Sequence, residues 1–281
     1  MHRELTVGIL LVVLGAGVLH AVWNAIAKSF EDRMMVFAWI GLSITAIAAV
    51  SLVITGLPPL VAIWFALGSA GVHVAYDFAL IRTYRLGAFN QVYPIARGTS
   101  PLVVALGAAI FANEHLGPVP LAGVIVLAAG LIGLALSAGH LKRSDTPAVA
   151  AAVLTGLTIA CYSLIDGLGV RHSPDPFAYM GMQFVLEGPP FVLLALRRPW
   201  AEWNREKMPS RGLLAGVLVV VAYGAVMWAQ TRAPLAEVAA LRETGVISAA
   251  LIGTLFFKER FGLRRLGAAV VVALGIVLIG L

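Results

Sequence analysis

Charge is scarce in this chain. Of its 281 residues only 12% are Asp, Glu, Lys or Arg, whereas 60% are hydrophobic. Soluble domains carry about 25% charged residues to cover their surface, so a soluble globular fold is excluded. Cysteine is nearly absent: Cys161 stands alone inside an apolar stretch, which rules out an internal disulfide. Long polar connections are missing too, the longest running from Arg197 to Arg211, so no soluble domain is there to host separate chemistry. No metal-ligand spacing, nucleophile elbow or phosphate-binding glycine loop occurs. NEHLG sets Glu114 and His115 side by side at a loop, too few ligands for a metal site. An enzyme, a cofactor and a metal are therefore not expected. The net charge of +6 would point to nucleic acid only if clustered on a soluble face, and it is not.

What the chain has in quantity is apolar blocks of membrane-spanning length. Ten can be counted, at 7–27, 34–55, 60–81, 88–112, 118–138, 148–169, 176–196, 212–231, 235–257 and 264–281. A bilayer core about 30 Å thick takes roughly 20 such residues in a helix. The expectation is an all-α polytopic membrane protein of ten transmembrane helices. Arg3 before the first block has the look of a secretory signal, but the block is long and ends in HAVWNAIAK, so it reads as a retained span.

Sorting the 20 Lys and Arg by loop puts 15 on one side, including Arg82, Arg85, Lys142, Arg143, Arg197 and Arg198. Arg3, Arg171 and Arg232 lie on the other. The positive-inside rule then places the cation-rich side in the cytoplasm and both termini outside.

The chain is also a duplication. FANEHLGPVPLAGVIVLAAGLIGLAL (111–136) aligns with FFKERFGLRRLGAAVVVALGIVLIGL (256–281), matching Glu114 to Glu259, Gly117 to Gly262 and Gly130 to Gly275. At the same offset Arg97, in YPIARGTSP, matches Arg242, in VAALRETGVIS. Two units of five spans follow, residues 1–141 and 142–281, and an odd number inverts the second. Inverted repeats are a transporter architecture with the substrate site at midplane between the halves. Arg97 lies roughly 13 Å and Arg242 roughly 10 Å into helices that enter from opposite faces, at 1.5 Å per residue.

The duplicated five-helix unit, the GAFNQVYPIARG segment, the Glu and Gly of NEHLG and KERFG, and LHAVWNAIAK together resemble the EamA-type branch of the drug/metabolite transporter superfamily. That resemblance implies a ten-helix basket around a central cavity, with the fifth and tenth helices peripheral. It implies a secondary transporter of a small metabolite or drug in a cell membrane, the bacterial inner membrane. Many members keep both termini in the cytoplasm, opposite to the loop charges here. Small multidrug relatives carry an acidic proton site in the first helix, and this helix has none.

An arginine at mid-membrane costs about 2.5–3.5 kcal/mol on insertion scales, so it faces protein or water. Arg97 either locks two helices through a carboxylate or binds ligand, and a symmetric Arg242 favours two guanidiniums gripping one acidic group. Asn90, Tyr93 and Arg97 share a helix face, and Pro94 and Pro101 interrupt that helix. In the first block His20, Trp23, Asn24 and Lys28 form a polar stripe, with Lys28 snorkelling and the others candidates for a cavity wall. Four carboxyls lie within spans. Asp77 follows Tyr76 and stands one turn after His73. Glu187 stands one turn after Gln183, with Pro189 and Pro190 breaking the helix beyond. Asp166, nearer a helix end, suits solvation or capping. Glu243 follows Arg242 about 100° around the helix, so the two need not pair. Two cations cannot occupy four carboxyls, which leaves an acid for a proton or a substrate amine.

The expected substrate is a small anionic or zwitterionic metabolite of the amino acid, organic acid or aminophosphonate type, moved by alternating access. Arg97, Arg242, Tyr93, Trp23, Asn24, His20, Tyr76 and Glu243 are the candidate binding residues, with Asp77 and Glu187 for proton coupling or charge balance. The competing reading is efflux of lipophilic cations, which calls for a cavity of carboxyls and aromatics. Glycines in the fifth and tenth blocks suit close packing or a homodimer contact.

Overall fold

The structure is a computed structural model that describes residues 5–87, 89–137, 143–203, 208–248 and 263–281. Glu259, Gly262 and the end of the ninth block lie outside the described residues, as do the side chains of Lys28 and Asn90.

Hydrophobic runs bounded by caps and prolines set the helices. Thr6 accepts from the Ile9 amide at 3.3 Å and opens α1 (Val7–Lys28). Asp32 accepts from the Met35 amide at 3.3 Å and opens α2 (Arg33–Thr55). Then come α3 (Leu60–Leu86), α4 (Phe89–Phe111) and α5 (Pro118–Ser137). A single 3₁₀ turn at Arg143–Asp145 leads into α6 (Thr146–Val170). The remaining elements are α7 (Pro176–Glu187), α8 (Pro189–Ala195), α9 (Trp200–Trp203), α10 (Met208–Gln230), α11 (Leu235–Arg242) and α12 (Leu263–Ile279). No strand occurs among the described residues.

Seven of these helices, α1 to α6 and α10, are long and apolar enough to cross a membrane. Their outer faces expose large apolar side chains, including Trp64 at 66% and Val53 at 86%. A soluble protein rarely leaves so broad an apolar surface uncovered, whereas a bilayer covers it. The chain is a multi-pass membrane protein.

The connections between the spans group on two faces, each tied by an ion pair. The cation-rich face holds the 29–32 and 196–203 connections, where Arg198 pairs with Asp32 at 2.5 Å. The cation-poor face holds 112–117, 171–175 and 231–234. Between them α1 packs on α10, α3 on α6, α2 on α7 and α10, α4 on α6 and α11, and α5 on α12. The α5–α12 seam is built on the glycines of both: a Cβ on Gly275 would lie 2.7 Å from the Leu127 amide nitrogen. That glycine contact is made within the chain.

Two helices are interrupted at mid-depth. Pro189 and Pro190 lack N–H groups, so the carbonyls of Val185 and Leu186 lose their helical donors and α7 gives way to α8 at Gly188. After Arg242 the backbone tightens: Glu243 donates to the Ala240 carbonyl at 3.1 Å and Ile247 to the Thr244 carbonyl at 2.9 Å, both three residues back. Each interruption rests on a glycine of a neighbouring helix. A Cβ on Gly41 of α2 would come within 2.6 Å of the Gly188 carbonyl oxygen, and one on Gly245 within 2.5 Å of the Gly17 carbonyl oxygen on α1.

Candidate functional site

A cavity of about 60 Å³ lies in the half of the bundle toward the cation-rich face. Its wall takes His20 and Trp23 from α1, Phe37, Ile40 and Ile44 from α2, and His73, Tyr76 and Asp77 from α3. Tyr162 of α6, Phe184 and Glu187 of α7, Phe191 of α8 and Tyr223 of α10 complete it. The break at Gly188 is part of this wall, so the backbone irregularity sits where it meets a cavity rather than lipid.

Two carboxyls stand in the wall. Asp77, 6% exposed, has no hydrogen-bond or ion-pair partner among the described residues. Glu187, 8% exposed, accepts from the Gln183 side-chain amide one turn earlier. The hydroxyl of Tyr76 next to Asp77 is buried without a partner, as is the second polar atom of Gln183, Oε1. His73 stacks on Tyr162 with ring centroids 3.8 Å apart, and its Nδ1 lies 3.1 Å from the Ser69 carbonyl.

The arginines lie behind this wall. Arg97 Nη1 donates to Glu243 Oε2 at 2.9 Å, and Arg242 Nη2 donates to Glu243 Oε1 at 3.1 Å. One carboxylate thus joins both guanidiniums, all three side chains being almost fully buried. Arg242 also donates to Ser163 Oγ at 3.0 Å and lies 5.5 Å from the centre of the Tyr162 ring. Arg97 lies 5.1 Å from the Tyr93 ring and donates to His20 Nε2. The other ring nitrogen of His20, Nδ1, faces the Trp23 indole N–H at 3.2 Å. Both partners are donors only, and a neutral imidazole accepts at one nitrogen, so His20 answers Arg97 or Trp23 but not both at once.

Sequence and structure therefore part at several residues. Arg242 and Glu243 do pair, because the long Arg242 side chain reaches across to the neighbouring carboxylate, its Nε and Nη2 donating to Glu243 Oε1 at 3.3 and 3.1 Å. Asn24 donates to the His20 carbonyl of its own helix at 2.9 Å and Tyr93 is buried in an apolar cluster, so neither stands on the cavity wall. Asp166, expected to be solvated or capping, is fully buried and accepts from Tyr179 at 2.9 Å and from Tyr223. Its partners come from α7 and α10, which no spacing within α6 could announce. Trp23, His20, Tyr76, Asp77 and Glu187 do share the cavity.

Toward the cation-poor face the bundle is closed. Asp166 ties α6, α7 and α10 together just beyond the cavity. Farther out, Glu114 pairs with Arg171 at 2.6 Å, and its other oxygen accepts from the Leu235 amide at 2.7 Å, capping α11. Arg171 in turn donates to the carbonyls of Gln230 at 2.9 Å and Ala233 at 3.1 Å. One ion pair thus fastens the α4–α5 connection, the end of α6, the end of α10 and the start of α11.

Comparison with known proteins places this geometry. Residues 146–281 match the EamA-like transporter family. A solved crystal structure superposes with a TM-score of 0.82 at 16% identity, over 100% of this chain and 99% of that one, a likeness of fold. No curated protein matches the sequence.

Proposed function

We propose that this chain, whose residues 146–281 match the EamA-like transporter family, is a member of that family, within the drug/metabolite transporter superfamily, and carries a small polar metabolite across a cell membrane by alternating access, with the central cavity as the substrate site. The observation that carries this reading is the placement of Asp77 and Glu187, two carboxyls in one buried wall with no guanidinium facing either. Intramembrane acids without a structural partner mark substrate or proton sites.

Ten spans in two inverted halves fit the packing. Count α7 with α8 as the seventh span, α10 as the eighth and α11 as the start of the ninth. The α1–α10 contact then has its counterpart in α6–α3, and α2–α10 in α7–α3, while α2–α7, α4–α11 and α5–α12 pair with themselves. A twofold exchange of the halves requires that set.

The wall composition bears on the substrate. Carboxyls and aromatic rings favour a positively charged group, and both arginines are already engaged by Glu243. A purely anionic substrate is therefore disfavoured, and a zwitterionic or cationic one is favoured. In the zwitterionic case its acidic group reaches Arg97 and Arg242 from the His20 and Tyr162 side, displacing one oxygen of Glu243. The closed cation-poor face and the cavity on the cation-rich side describe one end state of the cycle.

The test is counterflow in proteoliposomes with a metabolite library, repeated on Arg97→Ala, Arg242→Ala and Asp77→Asn. Uptake of an amine-bearing compound that fails in Asp77→Asn is the expected result. If all three variants exchanged the same compound at the wild-type rate, the cavity would not be the transport site.

A further inference from the structure

We propose that the cavity selects a primary ammonium group and rejects its fully methylated counterpart. The inference rests on the reading of the cavity as the substrate site. Its basis is hydrogen-bond accounting rather than charge alone. Three oxygen-bearing side chains line the cavity with capacity unfilled: the Asp77 carboxyl has no donor, the Tyr76 hydroxyl has no partner, and Glu187 receives only Gln183. All three residues are more than nine-tenths buried, at 6%, 5% and 8% exposure. The Arg97 and Arg242 guanidiniums supply no donor there, being turned to Glu243, His20 and Ser163, and the one free O–H of Tyr76 cannot fill two carboxyls.

Buried polar groups in folded proteins are almost always paired, so a wall with acceptor capacity in excess of its donors describes its missing ligand. A primary ammonium brings three N–H donors and one positive charge in a compact head. A trimethylammonium brings the charge and no donor. The rings of Trp23, Tyr162 and Tyr223 attract either cation, so an aromatic box by itself would not tell them apart. Asp77, Tyr76 and Glu187 do, since a methylated head leaves each of them buried and unmet. Transition-metal occupancy is not supported, as no cluster of three or more His, Cys, Asp or Glu suited to a metal occurs among the described residues.

The experiment uses purified full-length protein and matched pairs: ethylamine with ethyltrimethylammonium, ethanolamine with choline, and glycine with trimethylglycine. Thermal stabilisation is titrated for each, with sodium chloride as the bare-cation control. At least one primary member should half-saturate at a concentration at least about tenfold below its methylated partner, as sites built to hydrogen-bond a group discriminate against its absence. Asp77→Asn should abolish that preference. Should this variant misfold, Tyr76→Phe, which removes one oxygen, is the second probe and should narrow the preference. Equal response to both members of every pair, no response to any primary amine, or an equal response to sodium ion overturns the proposal. The same pairs assayed for uptake separate the two readings. Selective binding without uptake would sink the transport function and keep the selectivity. Equal uptake of both members would do the reverse.

Discussion

Glu243 Oε2 lies 2.9 Å from Arg97 Nη1, joining residues 146 positions apart in the chain. The carboxylate is fully buried and also holds Arg242. Removing one partner of such a cluster costs about 3–5 kcal/mol, because the remaining charges stay buried without compensation. Glu243→Gln should therefore lower the melting temperature or the yield of monodisperse protein far more than Glu202→Gln, whose contact with Arg198 is exposed. Thermal unfolding in detergent measures it.

The Glu114–Arg171 pair fastens the cation-poor face. Glu114→Gln should loosen it without unfolding the protein, since loss of a helix cap costs about 1 kcal/mol. In a Cys161→Ser background, a cysteine at Ala229, fully buried near the end of α10, reports the opening. Its labelling by a membrane-impermeant thiol reagent should rise several-fold in Glu114→Gln, and an unchanged rate would mean this pair does not hold the face shut.

Gly41 and Gly188 meet at the break between α7 and α8, where a Cβ on Gly41 would sit 2.6 Å from a backbone oxygen. The backbone cannot rotate aside as a flexible side chain would. Gly41→Ala should destabilise by about 1–3 kcal/mol, the usual cost of overpacking. Gly68→Ala, with nothing within 4 Å of its Cβ, is the matched control and should leave the melting temperature near wild type.

Asp166 holds Tyr179 and Tyr223 from two other helices. Tyr179→Phe removes one of these bonds and should cost about 0.5–1.5 kcal/mol in thermal unfolding. Asp166→Ala leaves two buried hydroxyls without their acceptor, so it should cost more than Tyr179→Phe and Tyr223→Phe taken singly.

The membrane class, the break at Pro189 and Pro190 and the presence of two arginines within apolar stretches were readable in the sequence, because each depends on local composition. Distance along a helix gave depth, but the direction in which a side chain points depends on its neighbours. Arg97 and Arg242 turn toward Glu243, leaving the wall to Asp77, Glu187 and the aromatic rings. The angle between Arg242 and Glu243 on a helix does not limit the reach of the guanidinium, which closes on the neighbouring carboxylate. The chain tightens there against Gly17, a contact between distant segments. Asp166 was hidden for the same reason, as Tyr179 and Tyr223 reach it only in the folded bundle.

The two acids of the cavity also carry an electrical consequence for the proposed transport cycle. Were the chain the proposed carrier, Asp77 and Glu187 ionised would give its empty form negative charge within the membrane, and one bound ammonium would cancel one unit of it. Loaded and empty forms then differ by an elementary charge, worth about 2.3 kcal/mol across a full 100 mV. Voltage therefore acts on the two crossings of the cycle unequally. A proton taken up as the ammonium leaves would erase the difference, so the voltage dependence of exchange distinguishes amine–proton antiport from movement of the amine alone.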